Sequence, residues 1–298
     1  MFESLTTIID YLYDELSSGK EILEYIKHLR ADEKGVEDLK SIYDGMFVYA
    51  MIWAFGGTIG EDKLWFSNMV RTASKTKFPE GGQVYDYYFD PMTVSFKPWA
   101  ARVAPYDVEY DGLFANLVVP TAETARQSYM IDIHRKHNPR KGVLLIGIAG
   151  TGKTTVINNY FAAFDPEKTL ASTINFNSYT DSYALQSVLV GKVEKRMGRI
   201  YGPPPGKELI FFMDDLNMPA VDKYGTQSPI ALIRQIIDYG IVYDRNALED
   251  KMQLIDIQFL ACMNPKSGSY KVDLRMSRHF TQIALTVPEK EILITIYQ

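Results

Sequence analysis

The chain has 298 residues, enough for one large domain or two ordinary ones, and its 46% apolar and 23% charged content is that of a globular protein with a sizeable core. A net charge of −5 gives no basis for broad binding to nucleic acid or anionic membranes, and no apolar run reaches the ~18–20 residues of a membrane span. The single cysteine, Cys262, excludes an internal disulfide and fits a reducing compartment. Glu3, Asp10, Asp14 and Glu15 interrupt any signal-peptide core, so a soluble intracellular protein is expected.

In chain order, Leu5, Ile8, Ile9, Leu12 and Leu16 recur at helical spacing, with Gly19 as a stop. Further helical patterns cover Ile22 to Leu29, Val36 to Trp53 and Glu61 to Ala73, so the first ~75 residues read as a small all-helical unit. From Pro79 to Val119 the pattern breaks into short extended pieces and turns, marked by Gly81-Gly82, Pro91, Pro98 and Pro105. The aromatic run Tyr85 to Phe89 lacks interleaved basic clusters, which favours packing between subdomains over base stacking. Past Pro120 an α/β alternation begins, with Thr121 as N-cap of a helix through Ile133. Strands are expected at 143–147, Thr169–Phe176, Leu209–Met213, Ile257–Met263 and Gln282–Val287. The intervening helices fall at Thr154–Phe164, Asp181–Met197 and Ser228–Tyr239, and a last one begins near Pro288. This order implies a parallel sheet flanked by helices on both faces.

The residues Gly147-Ile148-Ala149-Gly150-Thr151-Gly152-Lys153-Thr154-Thr155 form a complete phosphate-binding loop between an apolar strand and a helix. Such a turn converges backbone N–H groups on phosphate oxygens, and glycines supply the open backbone space. Lys153 would reach the β- and γ-phosphates, and the Thr154 hydroxyl would hold Mg²⁺. Downstream, Leu209 to Met213 is an apolar strand ending in Asp214-Asp215, which would deliver two carboxylates to the same sheet edge. Asp214 would act on Mg²⁺ through a coordinated water. In P-loop ATPases with an extra strand the next residue is usually a Glu that polarises the attacking water. Asp215 is one methylene shorter, and slow hydrolysis is expected because ~1 Å of misplacement costs on the order of a hundredfold. Asn264, after the following strand, is placed to sense the γ-phosphate. Arg275 and Arg278 are candidates for charge stabilisation, often supplied to a neighbouring subunit.

These residues resemble an AAA+ ATPase module, and more narrowly the dynein heavy chain. The likeness is carried by Phe47 to Gly57, Lys77-Phe78-Pro79, Val119-Pro120-Thr121 with Arg126, and Tyr201-Gly202-Pro203-Pro204. It continues through Phe212-Met213-Asp214-Asp215-Leu216-Asn217-Met218-Pro219, Tyr243-Asp244-Arg245, Ala261 to Pro265 and Arg278-His279-Phe280. The Asp-Asp-Leu-Asn-Met-Pro form resembles the axonemal branch. The resemblance implies a P-loop NTPase of AAA+ type whose residues 1–75 are the helical lid of a second module. Residues 76–119 would be a connecting segment, and 120–298 the large subdomain of a third module lacking its own lid. It further implies ATP or ADP as ligand with Mg²⁺, and Val119, Pro120 and Thr121 on the base side. The parent would be a minus-end-directed microtubule motor of the cilium or flagellum axoneme, within the cytoplasmic cytoskeleton. Its partners would be neighbouring modules, intermediate and light chains and microtubules, with no nucleic acid and no membrane. On this reading the chain is a piece of a motor, regulatory, with slow or no hydrolysis. A self-contained remodelling ATPase and a structural ring spacer are the competing readings; intact Gly152, Lys153 and Thr154 oppose the spacer.

Overall fold

The computed structural model describes residues 1–18, 33–103, 118–266 and 270–297. It divides into two compact units, one of residues 1–138 with 289–298, the other of residues 139–288. The helical pattern expected over Ile22–Leu29 lies outside the described residues.

The first unit is mainly helical. Helix α1 (Phe2–Ser18) buries Ile8, Leu12 and Leu16, spaced four apart as one helical face requires. Helix α2 (Glu33–Gly56) runs several residues beyond both ends of its sequence pattern and buries Ile42, Met46, Tyr49 and Trp53. Helix α3 (Lys63–Ala73) turns Phe66 and Val70 inward. Strands β1 (Tyr87–Asp90) and β2 (Ser95–Pro98) form an antiparallel hairpin. Helix α4 (Ala122–His137) begins at the expected N-cap: Thr121 and Thr124 exchange side-chain and backbone hydrogen bonds as a capping box. Helix α1 packs on both α2 and α4. The aromatic segment fastens these helices together. The Tyr85 hydroxyl donates to the Gly56 carbonyl at 3.0 Å, and the Trp99 indole donates to the Tyr85 carbonyl at 3.1 Å. The Arg102 guanidinium lies over the rings of Tyr88 and Tyr129. These rings are therefore packing groups, as the missing basic clusters imply. A short helix, α8 (Lys290–Tyr297), also belongs to this unit.

The second unit is built on a five-stranded parallel sheet. Its strands are β3 (Gly142–Ile146), β4 (Thr169–Asn175), β7 (Glu208–Asp214), β10 (Ile257–Met263) and β11 (Phe280–Ala284), ordered β11-β3-β10-β7-β4. Helices α6 (Ser182–Val190) and α7 (Ser228–Tyr239) bury Leu185, Leu189, Ile230, Ile233 and Ile236 against Leu144, Phe211, Met213 and Phe259. Helix α5 (Lys153–Ala162) sends Phe161 against Phe212, whose side chain alternates to the other face. The α/β class with a covered parallel sheet is thus as the sequence reads. Among the described residues no helix is long and apolar enough to cross a membrane.

Two expectations need correction. The helix expected over Asp181–Met197 ends at Val190, and Glu194–Met197 is instead strand β5, paired antiparallel with β6 (Ile200–Gly202). Gly191 ends the helix, and Gly198, at φ +58°, turns the hairpin. This hairpin joins β8 (Ile241–Tyr243) and β9 (Lys251–Leu254) in a second sheet, ordered β5-β6-β9-β8, which the sequence pattern does not announce. The last strand runs over Phe280–Ala284, two residues earlier than expected, although Leu285 still donates to the Ile146 carbonyl at 2.7 Å.

Candidate functional site

The strand order places β10 between β3, which feeds the Gly-rich loop, and β7, which ends in the acidic pair. All three run parallel, so Gly147, Asp214 and Asn264 leave the sheet at the same carboxyl edge. The loop turns through Gly150 and Gly152 at φ +81° and +76°, conformations that favour glycine. A Cβ on Gly147 would meet the Thr151 hydroxyl at 2.7 Å, so no side chain fits there. The Thr151 hydroxyl in turn donates to the Ile148 carbonyl, bracing the loop. Ile148, Ala149, Gly150, Gly152, Thr154 and Thr155 are exposed, as an accessible rim must be.

Lys153 opens α5, so its side chain and the first N–H groups of the helix share one end. Its ammonium is buried within the loop, donating to the carbonyls of Gly147 at 2.8 Å and Ile148 at 2.9 Å. The neighbouring Thr154 hydroxyl donates to Asp214 Oδ2 at 2.9 Å. Asp214 Oδ1 accepts from the Asp215 backbone N–H at 3.0 Å and from the Cys262 thiol at 2.6 Å. Asp215 has φ +54°, a left-handed backbone that lets its N–H fold back onto Asp214. Beyond it, the Leu216 N–H returns to the Cys262 carbonyl at 3.0 Å. Although exposed, the Asp215 carboxyl is held above the ordinary aspartate range by desolvation and then by the charge of Asp214, with Lys153 acting oppositely. Burial, then the hydrogen bond to Asp214, pushes the Cys262 thiol up.

Asn264 sits one residue past β10. Its side-chain oxygen accepts from the Lys266 N–H at 3.1 Å, and its carbonyl accepts from the Asn217 amide at 2.8 Å. The loop that would carry the sensor is therefore tied to the turn after the acidic pair. Arg278 lies elsewhere. It precedes β11, whose first residue pairs with Gly142, so it stands at the amino edge of the sheet, opposite the phosphate loop. There its guanidinium donates to Asp238 at 3.2 Å. With Arg234, Arg245 and Arg275 it lines a cleft of about 680 Å³ beside α7. Within this unit it is not brought to the loop, and its partner there is Asp238. Val119, Pro120 and Thr121 belong to the first unit, where the Thr121 hydroxyl is engaged in capping α4.

Thr154 and Asp214 offer adjacent hard oxygens at a helix N-terminus lined by N–H groups, a donor set that suits Mg²⁺ bound with phosphates. Among the described residues no cluster of three or more His, Cys, Asp or Glu could hold a metal alone. Comparison with known proteins points the same way. Residues 106–288 match the family described as the P-loop containing dynein motor region, and residues 1–101 match the dynein heavy chain AAA lid domain. The chain belongs to the dynein heavy chain family. It is 42% identical over 264 residues to dynein axonemal heavy chain 9 of Homo sapiens, covering 87% of this chain and 6% of that protein. It is 40% identical over 264 residues to the ciliary dynein beta chain of Heliocidaris crassispina, again over 87% of this chain and 6% of the relative. To the flagellar outer-arm dynein beta chain of Chlamydomonas reinhardtii it is 40% identical over 259 residues, 84% of this chain and 6% of that one. The chain thus spans about 6% of the length of the dyneins it matches.

A dynein P-loop motor region implies nucleotide binding, and the loop geometry agrees with that. Sequence reasoning missed the contact of Cys262 with Asp214. It depends on strand register: with parallel strands and Ala261 opposite Met213, the next residues, Cys262 and Asp214, are cross-strand neighbours on one face. Arg245 appeared only as part of a signature. It donates to the Gln186 and Ser182 side chains, joining the turn after β8 to α6.

Proposed function

We propose that this chain supplies an ATP- and ADP-binding AAA+ module, with Mg²⁺, to an axonemal dynein heavy chain, and that the module regulates more than it hydrolyses. The observation that carries the reading is the 2.9 Å hydrogen bond from Thr154 to Asp214, which joins the phosphate loop to the acidic strand across β10. In this role the loop N–H groups receive phosphate oxygens, and Lys153 exchanges the Gly147 and Ile148 carbonyls for phosphate. Thr154 and Asp214 would hold Mg²⁺, which would supply neutralisation of phosphate charge. Asn264 orients the attacking water. Asp215 is a poor base for it, being one methylene short and aimed by a left-handed backbone.

Residues 1–75 serve as the lid of a preceding module, 76–119 as the connection, and 120–298 as the large subdomain of the next. The relatives support an axonemal setting in cilia or flagella. Through the parent motor the partners are neighbouring modules, microtubules, and intermediate and light chains, with Arg278 acting on the neighbour's nucleotide. The test is calorimetry of ADP with Mg²⁺ on the chain and on Lys153→Ala. Binding that disappears in the variant while the chain stays folded is expected, and equal affinity in both proteins overturns the phosphate role. Turnover of ATP by the chain should stay below ~1 s⁻¹, the low end of ordinary enzymes. A faster rate contradicts a regulatory module.

A further inference from the structure

We propose that the Cys262 thiol is a positioning donor that fixes the rotamer of Asp214 and thereby sets how tightly the nucleotide's Mg²⁺ is held. The inference rests on the nucleotide-binding reading above. Asp214 has two oxygens with separate duties. Oδ2 faces Thr154, and Oδ1 is held by the Asp215 N–H and by the Cys262 thiol. The N–H is fixed by the backbone, so among the described residues the thiol is the one donor to Oδ1 that a side-chain change can remove. Between a thiol and a carboxylate the proton rests on sulfur, the weaker acid of the two. Cys262 is fully buried, and its carbonyl accepts from Leu216, so the sulfur is held in place from its own backbone. Partners that orient a metal ligand typically change metal affinity by about 10–100-fold when removed. A thiol is a weak donor, which places this one at the lower end.

The experiment titrates ADP into the chain with and without Mg²⁺, for the parent, Cys262→Ala and Cys262→Ser. Cys262→Ala should bind metal-free ADP as the parent does and lose roughly tenfold of the Mg²⁺-dependent gain. Cys262→Ser, which keeps a donor on a shorter bond, should recover part of that loss. Equal weakening with and without Mg²⁺, with Ser no better than Ala, means a packing role and overturns the proposal. A second measurement does not depend on nucleotide. Cys262 is the only cysteine, so the chain has one S–H infrared stretching band. It should lie at the lower frequency of a bonded thiol and rise in Asp214→Ala. An unmoved band overturns the hydrogen bond. A shifted band in a parent that binds no ADP confirms the contact and overturns the nucleotide reading with the metal role.

Discussion

The left-handed backbone at Asp215 sets up a test that separates strain from chemistry. For most L-residues this conformation costs about 1–2 kcal/mol, and Asp or Asn escapes part of that through its short polar side chain. At φ +54° the turn aims the Asp215 N–H at Asp214 and sends the chain back toward Cys262, so relaxing the backbone would break both contacts. Asp215→Glu forfeits the relief and should destabilise by about 0.5–1 kcal/mol. For a unit of residues 139–288, 1 kcal/mol moves Tm by about 2–4 °C. The Glu variant should therefore melt ~1–4 °C lower, while Asp215→Asn keeps the turn. Charge adds a second, opposite signature. The folded-state pKa of Asp215 is raised, so its ionised form opposes folding above that pKa and the handicap vanishes as pH falls through it. At neutral pH Asp215→Asn should melt at or above the parent, and the difference should close in acid. Scanning calorimetry of the three proteins from neutral pH into the carboxylate range checks both. A Glu variant as stable as the parent would mean that residue 215 carries no backbone constraint, and the account of this turn would fail. In a full-length motor with other sites disabled, single-turnover measurements should show Glu speeding hydrolysis modestly by restoring reach.

Gly142 begins β3 where a Cβ would lie 2.4 Å from the Phe280 ring and 2.6 Å from the Phe259 carbonyl, so Gly142→Ala should cost about 1–3 kcal/mol in urea unfolding. Arg196 donates to the Pro203 carbonyl at 2.9 and 2.6 Å and to Asp256 at 2.8 Å. Arg196→Ala should lower hydrogen-exchange protection of β5 and β6 while leaving ADP affinity unchanged. Trp99→Phe removes the indole donor from a buried site and leaves the Tyr85 carbonyl only the longer 3.4 Å bond from Arg126, so it should cost about 1 kcal/mol, read from melting of the first unit.

What was legible in the sequence follows from how strongly each feature constrains its neighbours. The strand from Leu209 to Met213 is buried on both faces, so it reads as an uninterrupted apolar run and its acidic end is unmistakable. Thr121 reads as an N-cap because the capping bond is local. The second sheet was hidden because its strands have three or four residues and are half-exposed, leaving too little alternation to outweigh the helical look of Tyr183 to Val190 just before it. Where Arg278 would lie in the sheet was not legible for a different reason. It follows Asn264 by only fourteen residues, yet a connection between parallel strands returns the chain to the opposite end before the next strand begins.

The sheet order also explains why position 262 is so constrained. Adjacent strands lie about 4.8 Å apart, so β3 and β7, separated by β10, stand roughly 10 Å from one another. Thr154 closes that distance only because the loop and the first turn of α5 carry it over the end of β10. Whatever side chain occupies position 262 lies beneath that crossing, beside Leu145 on one strand and Asp214 on the other. A large residue there would push Asp214 away from Thr154. A small apolar one would leave Oδ1 with the Asp215 N–H alone. Serine would donate but with a shorter bond, and cysteine combines small volume, reach and a proton to give. The extra strand that defines this sheet order thus creates a gap between loop and acid, which Thr154 bridges, and it supplies from its own sequence a side chain that holds the acid's other oxygen.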